Sequence, residues 1–169
     1  SNALFDGKPV ALTFLANTSD ESRRLGEALQ QQLAKVGIRV ETRLAASSDF
    51  LQAAINGDGD LIRNVGNRLG ADPSVSGMFY TCKAGWAELV MGYCNPRFDD
   101  LQGKGLAFYK TDDRKKTYQD AGAILNDELP SLFLYAPNSL VGVKKGLTGV
   151  KPNADPNFIT WNIQDWNLK

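Results

Sequence analysis

Residues 10–16 read VALTFLA, a nearly continuous apolar run of strand length. Parallel strands that helices cover on both faces have this composition, whereas strands with one solvated face alternate apolar and polar residues. The run is therefore predicted to be a central strand of a parallel sheet.

The segments that follow complete a unit of strand, helix and strand. Ser19 or Asp20 can cap a helix, and Gly37 is suited to end it. Residues 38–44 (IRVETRL) then alternate between two faces, one charged, which predicts a half-exposed strand near an edge, reached by a right-handed crossover. The apolar positions of the helix recur at helical spacing and are Leu25, Ala28, Leu29, Leu33 and Val36.

A second helix and a third strand come next. Ser47 or Ser48 can cap the helix, and residues 60–65 have the pattern of the strand. Residues 66–77 lose this pattern and are rich in Gly, Asn, Asp, Pro and Ser. This last segment is predicted to be a loop, and loops at strand ends are where α/β sheets hold ligands.

The second half of the chain is predicted to hold two helices, two strands and a tail. Pro96 begins one helix, and Thr111 caps another that Pro130 stops. The strands are residues 131–135 and 139–143. The predicted fold is of the α/β class, with a mixed, mostly parallel sheet flanked by helices.

Composition argues against several classes of function. The 169 residues carry 19 basic and 19 acidic side chains without a long run of one sign, so no nucleic acid partner is predicted. The chain has no histidine, which removes the commonest general base, and it contains neither G-x-S-x-G nor a Walker phosphate loop. We therefore predict a protein without catalytic residues or cofactor, rather than an enzyme.

Cys82 and Cys94 lie twelve positions apart. A disulfide between them would indicate an oxidising compartment, and two buried free thiols fit the spacing equally well. Two cysteines without histidine cannot complete a usual zinc shell, so no metal site is predicted.

Four motifs follow one another along the chain: residues 33–40 (LAKVGIRV), 71–73 (ADP), 95–101 (NPRFDDL) and 111–135. In order and spacing they resemble the family 5 solute-binding proteins, which serve importers driven by ATP hydrolysis (ABC importers) for oligopeptides, dipeptides, nickel and opines. The last motif is marked by Asp112, Arg114, Tyr118, Leu125, Asp127 and Pro130.

The resemblance implies a periplasmic-binding-protein-like lobe of type II. Residues 4–143 would form the C-terminal lobe, and residues 144–169 would be an extended tail returning toward the hinge or the other lobe. Residues 1–3 (SNA) read as the remnant of a cleaved tag.

The implied function is that of the substrate-binding component of an ABC importer. Such a protein captures a small solute between two lobes and delivers it to a membrane permease. The solute implied here is a peptide, an opine or a similar compound, and anionic solutes are among the candidates. The implied partners are that solute, the N-terminal lobe of the same protein and the permease. The implied location is periplasmic or extracellular, with membrane anchoring of the full-length protein left open. The alternative is an effector-sensing domain of a transcriptional regulator.

The resemblance also favours the disulfide Cys82–Cys94, because some members of the family bridge two cysteines in this loop. In the family's peptide binders an aspartate shortly before the Asp-Pro turn pairs with the terminal amine of the peptide. Residues 67–71 (NRLGA) hold no acid at this point, which puts ordinary peptide binding in doubt.

Arg68 is predicted to face the cleft instead, with Asn64 and Asn67 as polar partners, and to favour an anionic group on the ligand. The other interpretation is a solvated loop residue. Tyr80 and Trp86, together with Tyr93, are predicted to form an aromatic wall for the ligand or to pack the core.

Two turns have a structural and a functional interpretation. The turn of residues 17–19 (NTS) can cap the first helix or hold an anion through its backbone amides. Asp72 and Pro73 are expected to shape a turn and to cap the helix that follows.

Overall fold

The structure is a computed structural model that describes residues 4–5, 8–63, 72–135, 140–153 and 159–168. The chain divides into two units, Ser1–Asn67 and Arg68–Lys169. The prediction of a single lobe over residues 4–143 with a tail over residues 144–169 stays a prediction.

The first unit contains a three-stranded parallel sheet, in which the strand Ala11–Asn17 lies between Arg39–Ala45 and Leu61–Ile62. The predicted α/β fold is thereby confirmed, with helices flanking parallel strands, and the first run of the sequence is indeed the central strand. The elements in chain order are β1 (Leu4–Phe5), β2 (Lys8–Pro9), β3 (Ala11–Asn17), α1 (Asp20–Ala34), β4 (Arg39–Ala45), α2 (Ser47–Ile55) and β5 (Leu61–Ile62), of which β1 and β2 form an antiparallel pair.

Strands β3 and β4 differ in burial as their sequences predict. Phe14, Leu15 and Ala16 of β3 are all buried, because side chains on both faces of a central strand are covered. In β4, which is an edge strand of this sheet, the charged residues are exposed and Val40 is buried. Helix α1 covers one face, where Leu25, Leu29 and Leu33 pack against Phe14, Ala16 and Val40.

The two helices of this unit begin differently. Ser19 caps α1, since its Oγ accepts a hydrogen bond from the Ser22 amide at 3.2 Å, and Gly37 adopts a left-handed φ of 81° after the helix. The predicted cap of α2 is wrong, because the N-terminal flanking residue is Ala46, which makes no side-chain cap. Ser48 Oγ instead donates to Asp49 Oδ1 at 2.9 Å.

The second unit is built mainly from helices. Its elements are a 3₁₀ turn (Pro73–Ser76), α3 (Gly77–Tyr80), a π-helical turn (Ala87–Met91), α4 (Pro96–Ala107), α5 (Thr111–Glu128), β6 (Leu147–Thr148), a second 3₁₀ turn (Ile163–Asp165) and β7 (Asn167–Leu168). Residues 73–77, predicted as the end of a loop, therefore carry a 3₁₀ turn and the first residue of α3.

Helices α4 and α5 pack together around an apolar core. Phe98 of α4 is fully buried and lies with Tyr80, Ala121 and Leu125 in one cluster. Asn95 caps α4 by accepting from the Arg97 and Phe98 amides at 2.9 and 3.1 Å. The predicted start of α4 at Pro96 is confirmed.

Helix α5 starts one residue earlier than its predicted cap implies. Lys110 is the flanking residue, without a side-chain cap, and Thr111 already lies inside the helix. At the other end Leu129 takes a left-handed φ of 49° before Pro130, which cannot continue the helix.

The predictions for the last part of the chain need correction. The described residues of the segments 131–135 and 139–143 form no strand, and their apolar side chains are largely exposed. The tail is not uniformly extended, since β6 and β7 pair antiparallel around the buried Asn162. Asn162 Nδ2 donates to the Gly149 carbonyl at 2.7 Å, and Trp166 Nε1 donates to Asn162 Oδ1 at 3.1 Å.

The disulfide between Cys82 and Cys94 is present, as the resemblance implied. It closes the loop that carries the π-helical turn. The Cys82 amide also donates to the Asp99 carboxylate in α4, at 3.1 and 3.3 Å, so the loop is joined to the helix at its start. In the described parts of the chain, no helix is both long and apolar enough to cross a membrane.

Replacing both cysteines by serine is expected to lower the free energy of unfolding by about 3 kcal/mol, because the unfolded chain regains the entropy that the loop closure removes. Denaturant unfolding without reductant measures the loss. Reducing the native disulfide should destabilise the protein by a similar amount and leave the double variant unaffected. Equal stabilities of native protein and double variant would contradict the prediction.

Two glycines of α4 form a matched pair for a second test. A Cβ on Gly103 meets nothing within 4 Å, whereas a Cβ on Gly105 would lie 2.5 Å from Cζ of Tyr118. Gly103→Ala is expected to stabilise the protein by about 0.5–1 kcal/mol through helix propensity. Gly105→Ala is expected to destabilise it by about 1–3 kcal/mol through overpacking. Thermal unfolding compares the variants, and the same sign of change for both would refute the described packing.

Candidate ligand-binding site

Polar side chains of the first unit meet where β3 and β5 end. Asn17 is the last residue of β3, and Arg63 directly follows β5. The register pairs Leu15 with Ile62, so the parallel strands deliver both residues to the same edge. Ligands of open α/β sheets bind outside this carboxyl edge, which makes it the candidate site of the first unit.

A hydrogen-bond network joins this edge to the start of α1. Asn17 Oδ1 accepts from Ser19 Oγ at 2.9 Å and also from Ser22 Oγ. Arg63 Nη1 donates to Ser19 Oγ at 3.2 Å and to Ser22 Oγ. The side chains of a strand end, a helix start and a second strand end are thus held in one network, called here the edge cluster: Asn17, Ser19, Glu21, Ser22 and Arg63.

The guanidinium of Arg63 is the charged centre of the edge cluster. Its side chain is only 11% exposed, and its Nη2 pairs with Glu21 Oε2 at 2.8 Å, while Glu21 is 58% exposed. A buried cation needs a charged partner, and Glu21 supplies it from the solvent side. Chemically, the planar fork of an arginine suits a carboxylate or a similar anion.

The turn of residues 17–19 acts as a cap. Ser19 Oγ accepts a hydrogen bond from the Ser22 amide, and Asn17 Oδ1 accepts hydrogen bonds from the Ser19 and Ser22 hydroxyls. These polar side-chain atoms are therefore used in hydrogen bonds within the fold. Capping, the structural interpretation of this turn, is thereby confirmed.

The sequence-predicted residues Asn64, Asn67 and Arg68 lie outside the described residues. They lie one, four and five positions after Arg63 in the sequence, and their ligand role stays a prediction. In the parts of the chain that are described, no group of three acidic, cysteine or histidine side chains could hold a metal ion.

Tyr80 and Trp86 belong to the second unit and differ in burial. Tyr80 is 6% exposed and packs edge-on to the rings of Phe98 and Phe133, with ring centres 6.2 and 6.3 Å away. Trp86 is half-buried and precedes the π-helical turn. The structure therefore places Tyr80 in a core, and the ligand role predicted for both rings stays a prediction.

Tyr93, the third aromatic of the predicted wall, is held by a carboxylate. Its hydroxyl donates to Glu128 Oε2 at 2.7 Å, and Asn95 Nδ2 donates to Glu128 Oε1 at 2.6 Å. Burial and the neighbouring Glu128 charge raise the pKa of Tyr93 above its ordinary value. The phenol therefore stays protonated and serves as a hydrogen-bond donor.

Asp72 shapes the turn after the loop, as predicted. Its Oδ1 accepts from the Ser74 amide at 2.9 Å and so caps the 3₁₀ turn. Both its carboxylate oxygens accept from Arg114 Nη2, at 2.9 and 3.0 Å, and Arg114 Nη1 donates to the Gly105 carbonyl at 2.7 Å. The Ser74 hydrogen bonds, above all, and the Arg114 charge lower the pKa of Asp72.

Arg63 and Glu21 were not among the predicted site residues. The available signal was positional: Arg63 directly follows the apolar pair Leu61 and Ile62 in the predicted third strand, and Glu21 stands near the start of the helix that follows the central strand. Carboxyl ends of parallel strands converge, so both positions could have been assigned to one edge.

Asp72→Ala is expected to lower the free energy of unfolding by about 1 kcal/mol, since the 3₁₀ turn loses its cap. Asp72→Asn should lose less, because asparagine also caps and only the charge is removed. Because the pKa of Asp72 is lowered in the folded state, its ionic contribution is present at neutral pH and is lost as the pH falls below about 4. Denaturant unfolding across that range measures it, and a constant difference between native protein and Asp72→Asn would contradict the sign.

Comparison with protein-family models gives no match, and comparison with curated proteins gives two relatives. The chain is 25% identical over 165 residues to the oligopeptide-binding protein AppA of Bacillus subtilis, covering 96% of this chain and 30% of AppA. It is 28% identical over 145 residues to Escherichia coli DdpA, whose name describes a probable D,D-dipeptide-binding periplasmic protein, covering 84% of this chain and 28% of DdpA. The chain therefore spans less than a third of the length of either relative.

A solved structure with the same fold covers nearly the whole chain. NikZ from Campylobacter jejuni, crystallised in complex with Ni(L-His), aligns with 98% of this chain and 34% of its own, with a TM-score of 0.70 and 20% sequence identity. This likeness shows the fold, which is periplasmic-binding-protein-like of type II.

Three observations support the same family resemblance: the order of the sequence motifs, the parallel sheet and the two curated relatives. The resemblance to the family 5 solute-binding proteins is thereby confirmed, and the chain matches 30% of AppA and 28% of DdpA.

Proposed function

We propose that this chain is part of the substrate-binding component of an ABC importer, which captures a small solute between two lobes and passes it to a membrane permease. The observation that carries the proposal is the sequence match over 96% of the chain to an oligopeptide-binding protein. A second match, over 84% of the chain, is to a protein named for dipeptide binding.

Binding rather than catalysis is the proposed activity. Both relatives are named as binding proteins, and NikZ was crystallised with a bound nickel–histidine complex. The proposed location is periplasmic or extracellular. It is supported by the periplasmic name of DdpA and by the disulfide Cys82–Cys94, because disulfides persist in oxidising compartments.

The proposed ligand contacts begin at the edge cluster. Arg63 presents a guanidinium at the carboxyl edge of the sheet, and its present partner Glu21 reaches it from the solvent side. Asn64, Asn67 and Arg68 follow along the chain and are proposed to extend the contacts to an anionic group of the ligand.

For the second unit, Trp86 is proposed as an aromatic contact, since the residue is only half-buried. The ligand role of Tyr80 stays a prediction, and its ring, which is almost fully covered, lies in the core of the second unit.

Capture by two lobes is a population shift. A ligand that contacts both lobes favours the closed form through the contacts that only this form provides. One part of such a protein holds only part of those contacts, so the isolated chain is expected to bind the solute weakly or not at all.

Titration calorimetry of the full-length protein tests the proposal with short peptides, opines and metal chelates, each acidic peptide being paired with its amidated form. For a ligand with a carboxylate, Arg63→Met and Arg68→Ala are each expected to weaken binding about 10- to 100-fold, the effect of losing a hydrogen bond to a charged group. Arg43→Met is the control, because Arg43 is exposed on β4 and pairs with Asp58 at 3.2 Å.

Two outcomes would contradict the proposal at different levels. If the full-length protein binds none of these solutes, solute capture is wrong. If it binds a carboxylate ligand and both variants keep native affinity, capture stands and the assigned residues are wrong.

A further inference from the structure

The outer side of strand β4 is an open edge. Among the described residues β4 ends the sheet on this side, and only β3 pairs with it. The Arg39 amide donates to the Val10 carbonyl at 3.0 Å, so the peptide groups of Arg39 and of every second residue after it face β3. The peptide groups of Val40, Thr42 and Leu44 therefore face outward, where a further strand can join them.

A groove beside this edge leaves it accessible. The groove has a volume of about 310 Å³ and is lined by Gln30, Ala34, Gly37, Ile38, Arg39 and Val40. Gln30 Nε2 donates to the outward-facing Val40 carbonyl at 3.1 Å, so one acceptor of the edge already has a side-chain partner. A joining strand would replace this hydrogen bond by one from its own amide, an exchange that changes the free energy little.

The sequence of β4, RVETRLA over residues 39–45, is complementary to itself in one antiparallel register. In that register two copies of the strand meet with Thr42 opposite Thr42. Pairs of opposite charge and apolar pairs then stabilise the adjacent strands, and no like charges are directly opposed. The other directly opposed residues are Glu41 and Arg43, Val40 and Leu44, and Arg39 and Ala45.

The hydrogen-bonding pattern selects the same register. In an antiparallel pair, directly opposed residues alternate between pairs that exchange two hydrogen bonds and pairs that exchange none. With Thr42 opposite Thr42, the outward-facing residues Val40, Thr42 and Leu44 are opposed only to one another, so each pair can exchange both bonds. A shift of one residue would oppose outward-facing to inward-facing peptide groups and would separate Glu41 from Arg43.

Thr42, at the centre of this register, carries a hydroxyl without a hydrogen bond. Its Oγ1 is buried and has no partner among the residues that the structure describes. It lies against α1, where a Cβ on Gly26 would be 2.5 Å from it. Threonines that are opposed across two strands can hydrogen-bond to each other through their hydroxyls. A second copy of the strand would therefore supply the kind of partner that Thr42 lacks.

We propose that this chain forms a symmetric dimer through antiparallel pairing of two β4 strands, with the two-fold axis at Thr42. The same surface of both copies is used, so the contact closes at two and leaves no β4 edge open. The opposite charges of Glu41 and Arg43 identify a second copy as the occupant, because a strand of unrelated sequence would match them only by chance. The dimer requires no ligand and does not rest on the proposed function.

Sedimentation velocity of this chain between about 1 µM and 1 mM tests the proposal, since small and weak interfaces dissociate in this range. The mass is expected to rise from that of a monomer to that of a dimer and no further. A monomer throughout the range overturns the proposal, and so does growth beyond the dimer.

A charge exchange tests the register. Glu41→Arg and Arg43→Glu are each expected to weaken the dimer about 10-fold or more, because like charges then face each other twice across the contact. The double variant restores opposite charges in reversed order and should recover the dimer, whereas Glu88→Arg, at an exposed residue of the second unit, is the control and should change nothing. A dimer that tolerates both single variants, or that the double variant does not recover, overturns the proposal.

Hydrogen exchange followed by NMR gives a readout on the native chain and decides the case if a charge variant does not fold. The outward-facing amides of Thr42 and Leu44 are expected to exchange more slowly as the concentration rises, because they bond to the second copy in the dimer. The amides of Glu41 and Arg43, which face β3, are the internal control and should change less. Exchange at Thr42 that is independent of concentration overturns the proposal.

Discussion

Strand β3 is hydrogen-bonded on both sides, and the first unit depends on this pairing. Its seven residues pair with β4 from Ala11–Arg39 to Asn17–Ala45, and Phe14 and Leu15 pair with β5. A slip of one residue would turn the apolar face of the half-exposed strand β4 toward solvent, so burial of Val40 under α1 specifies the register. The register in turn decides which polar side chains arrive at the carboxyl edge.

The position of β5 is fixed by contacts that its flanking residues make with β3. The Asp60 carboxylate accepts from the Thr13 amide at 2.7 Å, and the Arg63 amide donates to the Leu15 carbonyl at 2.9 Å. Between α2 and β5 the backbone passes so near β3 that a Cβ on Gly59 would lie 2.5 Å from Cβ of Leu15. These contacts hold Arg63 beside Ser22, and without them its guanidinium would have no defined place in the edge cluster.

Much of the first unit was predictable because its signals are local. The apolar run of β3, the alternation in β4, the Ser19 cap and Gly37 each express a short-range rule, and the structure follows all of them. The segment 131–135 shows the limit of such rules, since it has the composition of a strand but is not one in the structure. Strand formation depends on pairing as well as on composition. The role of Arg63 could not be predicted from local sequence either. Its hydrogen-bond partner Ser19 lies 44 positions away along the chain, and the strand register brings the two together. The predicted N-terminal caps of α2 and α5 were wrong, because both helices begin without a side-chain hydrogen bond to the backbone.

The disulfide between Cys82 and Cys94 affects how proteolytic cleavage of this region would be detected. The bridged segment carries the exposed residues Lys83, Glu88 and Leu89, which a protease can reach. A single cut there leaves the two pieces tied together, and Asp99 and Glu128 still hold the flanks of the segment through Cys82, Tyr93 and Asn95. Nicked and intact molecules would therefore migrate together on a gel until reductant separates the fragments, so a preparation can look homogeneous while part of it is already cleaved.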